Sequence, residues 1–269
     1  MKMPFHDRWR GIDAALHGLL RDPGRTDLVF TLIDLAQGRG TRPVLRRLVR
    51  RVVRGGGAEL MARRRGLRER LQDRAWLASL PDDSFGRVYL GFMGAESLDP
   101  DSLVEASGRS ERIGETPEEE WMFERLRDSH DLWHVLSGYG RDSVGEASVM
   151  AFSYGITRVR GMGLIALAAG TQGSRRFPYY WQRYLLKAWR RGRRARSVLS
   201  ADYEALLPLP LPEVRRRLGV EPPEVAHPYG LMIERAGRRS DRARDETRRS
   251  ELARSHETVG RIEEGEREA

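Results

Sequence analysis

Cysteine is absent from this chain of 269 residues, and lysine occurs only at Lys2 and Lys187. The absence of cysteine excludes disulfide bonds, thiolate metal ligands and cysteine nucleophiles, so a bound metal would have to use histidine and carboxylate side chains. The net charge is +9. The near-exclusive use of arginine nevertheless suggests GC-rich coding as much as phosphate binding. No nucleic-acid-binding signature stands out, and we expect no nucleic-acid partner.

Long apolar runs are also missing. The longest apolar stretch, Gly161 to Gly170, is too short to span a bilayer. The first residues, MKMPFHDRWRG, do not have the pattern of a secretory signal. We therefore expect a cytoplasmic protein that is peripheral to the inner face of a membrane.

The alternating pattern of β-strands is lacking, whereas apolar residues recur at helical spacing, which predicts an all-α fold. Residues 1–232 are expected to form a single, mostly helical domain. Residues 233–269 are rich in acids and arginine, which predicts a charged tail that is either disordered or a solvated helix. The predicted helical stretches are 8–20, 25–37, 43–54, 58–79, 84–95, 117–137, 144–159, 161–170, 179–198, 202–206 and 211–218.

The segment HDLWHVLSGYGRDSVGE, residues 130–146, is the most informative part of the chain. Its two histidines, His130 and His134, are four residues apart, so their imidazoles project from one face of a helix. They continue an apolar stripe that includes Phe123 and Leu126, and they should therefore point inward. A helix hairpin closed by a short glycine-containing turn would bring the last residue of the segment back toward His134.

Four side chains of this segment suit a divalent metal, because two imidazoles and two carboxylates form a common ligand set. They are His130, Asp131, His134 and Glu146. Two structural roles without a metal remain open for these residues. An inward histidine can be a hydrogen-bonded core residue, and Glu146 can complete a capping box that begins at Ser143. The spacing differs from that of zinc proteases, in which glutamate follows the first histidine.

The same segment resembles a signature, HDxxH-x11-E, of the ubiquinone biosynthesis family typified by coenzyme Q biosynthesis protein four. Further motifs extend the resemblance over roughly residues 10 to 225, with one departure at Tyr203, where the family has tryptophan. The residues that match these motifs are Asp22, Pro23, Asp27, Leu80, Pro81, Ser84, Phe85, Gly86, Tyr89, Phe92, Met93, Ala188, Trp189, Gly192, Ala195, Asp202, Glu204, Leu211, Pro212, Glu213, Arg216, Leu218, Gly219 and Val220.

The resemblance implies a mostly helical protein that holds a divalent metal, usually described as zinc, at His130, Asp131, His134 and Glu146. It also implies catalysis at these residues, by oxidative decarboxylation at ring position C1 of a polyprenylated aromatic precursor of ubiquinone. The chemistry leaves iron and manganese open as alternatives to zinc, because zinc has no redox activity. A non-catalytic lipid-binding scaffold for other quinone-biosynthesis proteins is a second interpretation. A relative that tailors another lipid or natural product is a third.

The helix that follows the motif carries one small residue per turn, at Ala147, Ala151 and Gly155. Such a face favours tight helix packing. It would also leave space for a flat ring or a prenyl chain, with Phe152 in the apolar lining. The two roles are compatible, and these four residues are our candidate substrate-lining set.

Two arginine-rich segments suggest contact with an anionic membrane surface. In the helix predicted from Pro43 to Arg54, valine and leucine occupy one side and arginine the other. The alternative is a core-packing helix with a solvated arginine face. Residues 175–196 combine basic and aromatic side chains, which are also common at membrane interfaces. A homodimer is a further open expectation.

Overall fold

The computed structural model describes residues 5–21, 28, 31–32, 35–36, 42–63, 66–95, 115–173, 180–195 and 197–231. Within these ranges the secondary structure is helical and contains no strand, apart from one isolated bridge between Ser84 and Pro210. The predicted all-α class is thus confirmed. The described residues up to Pro228 belong to one compact unit. The tail predicted at residues 233–269 lies outside the described residues.

The helices are numbered in chain order, and most follow the predicted stretches closely. They are α1 (Phe5–Arg21), α2 (Arg42–Arg54), α3 (Ala58–Arg63), α4 (Leu67–Gln72), α5 (Arg74–Ser79), α6 (Phe85–Ala95), α7 (Pro117–Asp128), α8 (His130–Ser137), α9 (Ser143–Thr157), α10 (Arg160–Gly173), α11 (Tyr180–Arg194), a 3-10 turn (Val198–Ser200), α12 (Tyr203–Leu206), α13 (Leu211–Leu218) and α14 (Pro223–Ala226).

Two predicted stretches are divided in the structure. The stretch 58–79 becomes α3, α4 and α5, because Gly66 and Asp73 are extended or irregular. The side chain of Asp73 accepts a hydrogen bond from the backbone N–H of Trp76, 3.0 Å away, and so begins a new helix. The stretch 117–137 is interrupted only at Ser129, between α7 and α8. The stretch predicted at 25–37 lies mostly outside the described residues.

Helix α9 is the centre of the fold and packs against α10 and α11. Its contact with α11 is a close approach of two backbones. A Cβ atom on Gly155 would lie 2.5 Å from the carbonyl oxygen of Trp189, and one on Gly192 would lie 2.0 Å from that of Phe152. Only glycine permits such an approach at these two positions, so the glycines fix how α9 sits in the core.

The basic helix α2 places its apolar side in the core, where Leu45, Leu48 and Val52 are buried. It packs against α7. Arg47 and Arg51 donate hydrogen bonds to the carbonyl oxygen of Thr157 at the end of α9, each over 3.3 Å. Core packing therefore explains these three apolar residues, whereas Val53 is exposed at 47%.

Among the described helices, none combines the length and the apolar composition that a membrane span requires.

Candidate metal centre

Helix α8 presents both histidines and follows directly on α7, and local signals define where each of the two helices begins and ends. The side chain of Thr116 accepts a hydrogen bond from the backbone N–H of Glu119, 3.2 Å away, which confirms the predicted start of α7. Across Ser129, which keeps a right-handed helical conformation, the chain continues into α8. Gly138 ends α8 with a left-handed φ of 76°, a conformation that glycine adopts without steric cost.

The return from α8 to α9 depends on a close contact between two glycines. A Cβ atom on Gly145 would lie 1.9 Å from the carbonyl oxygen of Gly140, so a larger residue would push the two arms of the hairpin apart. The cap of α9 is Asp142, whose carboxylate accepts from the backbone N–H groups of Val144 and Gly145 over 2.9 and 3.2 Å. The cap of α9 is therefore Asp142 and not Ser143, so the capping box that would pair Ser143 with Glu146 is wrong.

The hairpin brings three of the predicted ligands together. One donor atom from each of His130, His134 and Glu146 lies within 4.8 Å of the other two. The Nε2 atom of His134 is 3.5 Å from Oε1 of Glu146. The side chain of His134 is fully buried, whereas that of Glu146 is 36% exposed, so the group is most accessible on its glutamate side.

The imidazole of His134 is oriented by the backbone. Its Nδ1 atom donates a hydrogen bond to the carbonyl oxygen of Tyr139 over 3.0 Å, because a carbonyl oxygen can only accept. In the neutral tautomer with this hydrogen bond, the lone pair is on Nε2. The Nε2 atoms of His134 and His130 are both buried and have no hydrogen-bond partner within the described structure. Two buried nitrogens that lack a partner fit a metal well, since coordination would satisfy both.

Asp131, the fourth predicted ligand, is buried beside this group and is not one of its three members. Its Oδ1 atom lies 3.5 Å from Nδ1 of His130 and accepts a hydrogen bond from Arg141 over 3.3 Å. In this position its carboxylate orients the His130 ring and neutralises the arginine. A direct ligand role for Asp131 stays a prediction.

Charge within the site favours the ionised carboxylates. Burial alone would raise the pKa of Glu146, but His134, His130 and Arg141 outweigh it and hold the pKa below its usual value. The pKa of Asp131 is lowered in the same way, against the effect of burial, by His130 and Arg141. Burial alone would lower the pKa of His130, yet Asp131 and Glu146 raise it. The site is therefore a pair of anions that attracts positive charge.

The candidate substrate-lining residues lie on the buried side of α9. Ala147, Ala151 and Phe152 are all buried. Gly155 is in direct contact with the backbone of α11, so helix packing accounts for this glycine. Contact of Ala147, Ala151 or Phe152 with a substrate stays a prediction.

Two residues beside the histidines were not recognised as site residues from the sequence. The ring of Phe92, on α6, stacks on His134 with centroids 5.5 Å apart. Phe92 belongs to the upstream stretch matched to the family, but nothing in its local pattern pairs it with His134. Tyr139 contributes through its backbone carbonyl, and no side-chain pattern indicates such a contact. Its place directly after the glycine cap is its one sequence signal.

The chain is similar over most of its length to proteins of ubiquinone biosynthesis. Residues 10–224 match the family model described as coenzyme Q (ubiquinone) biosynthesis protein Coq4. A relative from Bos taurus, the ubiquinone biosynthesis protein COQ4 homolog, is 32% identical over 206 residues, which are 76% of this chain and 75% of that protein. The homolog from Danio rerio is 31% identical over 211 residues, or 77% and 74% of the two chains.

A fungal relative is matched over a smaller part of its length. Ubiquinone biosynthesis protein coq-4 from Neurospora crassa is 30% identical over 194 residues, which are 72% of this chain and 53% of that protein. The chain thus spans about half of this relative. All three relatives are named as mitochondrial proteins, in contrast to the cytoplasmic location expected here.

A crystal structure from Nostoc punctiforme shares the fold. It superposes with a TM-score of 0.59 at 18% identity and covers 81% of this chain and 100% of the other.

Proposed function

Because this chain belongs to the family of coenzyme Q (ubiquinone) biosynthesis proteins Coq4, we propose that it acts in ubiquinone biosynthesis. The observation that carries the proposal is the convergence of His130, His134 and Glu146 at the heart of the matched segment. The activity, the metal and the partners of the chain are all parts of this proposal.

The proposed cofactor is one divalent metal, with zinc as the first choice and iron or manganese as alternatives. His130 and His134 would bind it through their Nε2 atoms, and Glu146 through a carboxylate oxygen. Asp131 would either hold the His130 ring from beside the metal or join as a fourth ligand. The two unpartnered Nε2 atoms support this assignment, because leaving them bare in the interior costs free energy that coordination would recover.

The proposed reaction is the oxidative decarboxylation of a polyprenylated 4-hydroxybenzoate-type precursor at ring carbon C1. The bond from C1 to the carboxyl carbon breaks, the carboxyl group leaves as carbon dioxide, and a hydroxyl group takes its place. The ring loses two electrons in this exchange. Water supplies the oxygen of the new hydroxyl group, and dioxygen accepts the two electrons and leaves as hydrogen peroxide. A bound divalent metal would supply a Lewis acid for the substrate carboxylate or the neighbouring phenol oxygen.

The residues of the chain have distinct parts in this proposal. The partly exposed Glu146 marks the side from which an anionic ring could approach, whereas the buried His134 closes the opposite side. Arg141 holds Asp131 in its ionised form. The buried, apolar surroundings of α8 and α9 would exclude water while the ring is bound.

A metal held by three protein ligands retains a position for substrate, whereas a closed set of four is typical of structural zinc sites. The three-residue group therefore favours the enzyme over the alternative of a non-catalytic lipid-binding scaffold that gathers other quinone-biosynthesis proteins. In the scaffold alternative, Asp131 would be the fourth metal ligand and would close the site to substrate.

The decisive experiment expresses wild type or Glu146→Gln in a strain that lacks C1 decarboxylation and hydroxylation. The ubiquinone content of the cells is then measured. Glu146→Gln removes the charge with little change of volume, so we expect folded protein that does not restore ubiquinone. Glu59→Gln, at an exposed carboxylate on α3, is the matched control and should restore it fully. Full restoration by Glu146→Gln would reject the catalytic role and leave the scaffold.

A lipid substrate also suggests contact with a membrane surface. Helix α11 has a stripe of exposed basic and apolar side chains that suits such a contact. Tyr180, Arg183, Leu186, Arg190 and Arg194 recur at spacings of three and four, and all are exposed. Tyr180 is 77% exposed and Leu186 is 41% exposed. Exposed aromatic and aliphatic side chains between arginines suit an anionic interface. On α2, Leu45, Leu48 and Val52 are buried, and Val53 is exposed at 47%. The α11 stripe therefore offers the larger exposed apolar side chains. We therefore propose α11 as the membrane-facing helix.

A further inference from the structure

Behind the histidines lies a buried polar cluster, formed by Tyr139, His227, Arg191 and Tyr184, for which the proposed reaction has no direct use. The cluster joins the loop after α8 to α11 and to the end of α14. Tyr139 and Arg191 are almost fully buried, and His227 is buried as well. Burying polar groups costs free energy, and hydrogen bonds and ring contacts within the cluster offset part of that cost.

The hydroxyl group of Tyr139 and the ring of His227 form one hydrogen bond. The oxygen of Tyr139 lies 3.0 Å from Nε2 of His227. Burial, together with the charges of Arg191 and Lys187, lowers the pKa of His227 to about 4. The imidazole is therefore neutral near pH 7. Burial also raises the pKa of Tyr139, which keeps its proton, so this hydrogen bond joins two neutral groups.

The Tyr139 ring is held on its other sides as well. The guanidinium of Arg191 lies 5.1 Å from its centroid, and the ring of Tyr184 meets it edge-on at 5.9 Å. Arg191 also donates a hydrogen bond to the carbonyl oxygen of Ser137 over 2.9 Å, at the last residue of α8. The loop that follows α8 is thus fixed by side chains from a distant part of the chain.

The same tyrosine bears the carbonyl oxygen that accepts from Nδ1 of His134. Any shift of the Tyr139 backbone would therefore rotate the His134 imidazole or remove the partner that keeps its proton on Nδ1. A histidine that binds a metal through Nε2 depends on such a partner for its tautomer and its ring angle.

We propose that His227 and Tyr139 are positioning residues of the metal centre, which set the His134 imidazole through the Tyr139 carbonyl without touching the metal. This inference rests on the proposed metal site and extends it by a histidine that lies far along the chain from His134. The sequence motif contains no sign of it, because His227 lies beyond the matched segment.

The test measures metal affinity of metal-free protein by competition with a chromophoric chelator. Tyr139→Phe removes the hydroxyl group of this hydrogen bond, and His227→Phe removes the ring nitrogen while keeping a ring. Both should bind the metal about 10- to 100-fold more weakly than wild type. His227→Gln places an amide group, which has both a donor and an acceptor, near the position of Nε2 and should recover most of the affinity. Cobalt(II) substitution gives a second readout, since Tyr139→Phe should shift the visible absorption bands of the bound ion.

The control is Thr157→Val, which removes another buried hydroxyl group with little change of volume. Thr157 lies at the far end of α9, where its hydroxyl group donates a hydrogen bond to the carbonyl oxygen of Ser153 over 2.8 Å. Thermal unfolding of the metal-free variants shows whether each substitution costs similar stability. The control should bind metal with wild-type affinity and give an unchanged cobalt spectrum.

The possible results separate the inference from the proposed metal site. If wild-type protein takes up no metal, the metal site is wrong. If wild type binds metal and His134→Ala does not, yet Tyr139→Phe and His227→Phe bind as tightly as Thr157→Val, the positioning role alone is overturned. Should Tyr139→Phe fail to fold, the comparison of His227→Phe with His227→Gln decides: equal affinities reject the role, and a rescued affinity supports it.

Discussion

The Nε2 atom of His134 faces Oε1 of Glu146 across the hairpin at a distance of 3.5 Å, with no hydrogen-bonded partner of its own within the described structure. One donor comes from a fully buried ring on α8, and the other from a partly exposed carboxylate on α9. This pairing links the closure of the turn at Gly140 and Gly145 to the chemistry of the site, since the carboxylate reaches the imidazole only when the two arms meet.

We predict that His134→Ala abolishes metal binding. The substitution removes the ligand whose nitrogen is most deeply buried, and two remaining ligands are too few to retain a divalent ion at neutral pH. Elemental analysis of purified protein should show about one equivalent of metal in wild type and close to none in the variant. Thr157→Val serves as the folding control, and a full complement of metal in His134→Ala would place the donors elsewhere.

Local patterns explain why much of this site could be predicted from the sequence. The spacing of His130 and His134 fixes their shared face, and Thr116 with Pro117 marks the helix start. Gly138 marks the end of α8. Each of these signals acts within one helix, where propensity and capping are decided by neighbouring residues.

The parts that could not be predicted depend on contacts between distant segments. Asp142 and Ser143 are adjacent and equally good caps by type, and only the observed backbone conformation selects the aspartate. The pairing of Gly155 with α11 is a tertiary contact. The support of His134 by Tyr139 uses a carbonyl group, which every residue has.

The second prediction concerns the close contact of α9 and α11. Gly192→Ala would place a Cβ atom 2.0 Å from the carbonyl oxygen of Phe152, and backbone cannot move aside as a flexible side chain could. We expect the free energy of unfolding to fall by about 1–3 kcal/mol. The matched control is Gly91→Ala on α6, where nothing lies within 4 Å, and it should gain up to about 1 kcal/mol from helix propensity. Equal urea midpoints for the two variants would contradict the contact.

The third prediction concerns Arg158, which follows α9 with a left-handed φ of 61°. An arginine in this conformation bears a steric cost that glycine avoids, while the bond from its N–H to the carbonyl of Tyr154 does not need a side chain. Arg158→Gly should therefore raise the free energy of unfolding by about 0.5–1 kcal/mol, after the greater flexibility of glycine in the unfolded chain is counted. Arg158→Ala retains the Cβ atom and should show no gain. The comparison of both variants in urea isolates the backbone effect.

The fourth prediction concerns pH and the start of α7. The carboxylate of Glu119 accepts a hydrogen bond from the backbone N–H of Glu115 over 2.8 Å and another from Arg46 over 2.7 Å. These bonds lower the pKa of Glu119 below its usual value of 4.5, the backbone bond most strongly. A carboxylate whose pKa is lower in the folded state stabilises the fold above its unfolded pKa, and this contribution is lost as the pH falls through the folded value.

Glu119→Gln therefore tests the sign of this effect. Wild type should be more stable than the variant between pH 6 and pH 7, and the difference between them should narrow as the pH falls below about 4.5. Urea midpoints measured across this range provide the comparison. A difference that stays constant, or that widens in acid, would show that the ionised carboxylate is not what stabilises the start of α7.

The last prediction distinguishes two surfaces for membrane contact by reversing equal amounts of charge on each. Arg183→Glu with Arg190→Glu alters the exposed stripe of α11, and Arg50→Glu with Arg54→Glu alters exposed arginines of α2. Each pair changes the net charge by the same amount, so a general electrostatic effect would weaken vesicle binding equally in the two variants. We expect the α11 pair to lose binding to vesicles that contain anionic lipid, whereas the α2 pair keeps most of it. The α11 stripe combines arginine with the exposed Tyr180 and Leu186, whereas the arginines altered on α2 flank the smaller exposed Val53. Flotation at low salt measures the binding, and wild-type binding should weaken as salt is added. A greater loss in the α2 pair would move the contact to that helix, and no binding by wild type at low salt would reject a membrane role for either surface.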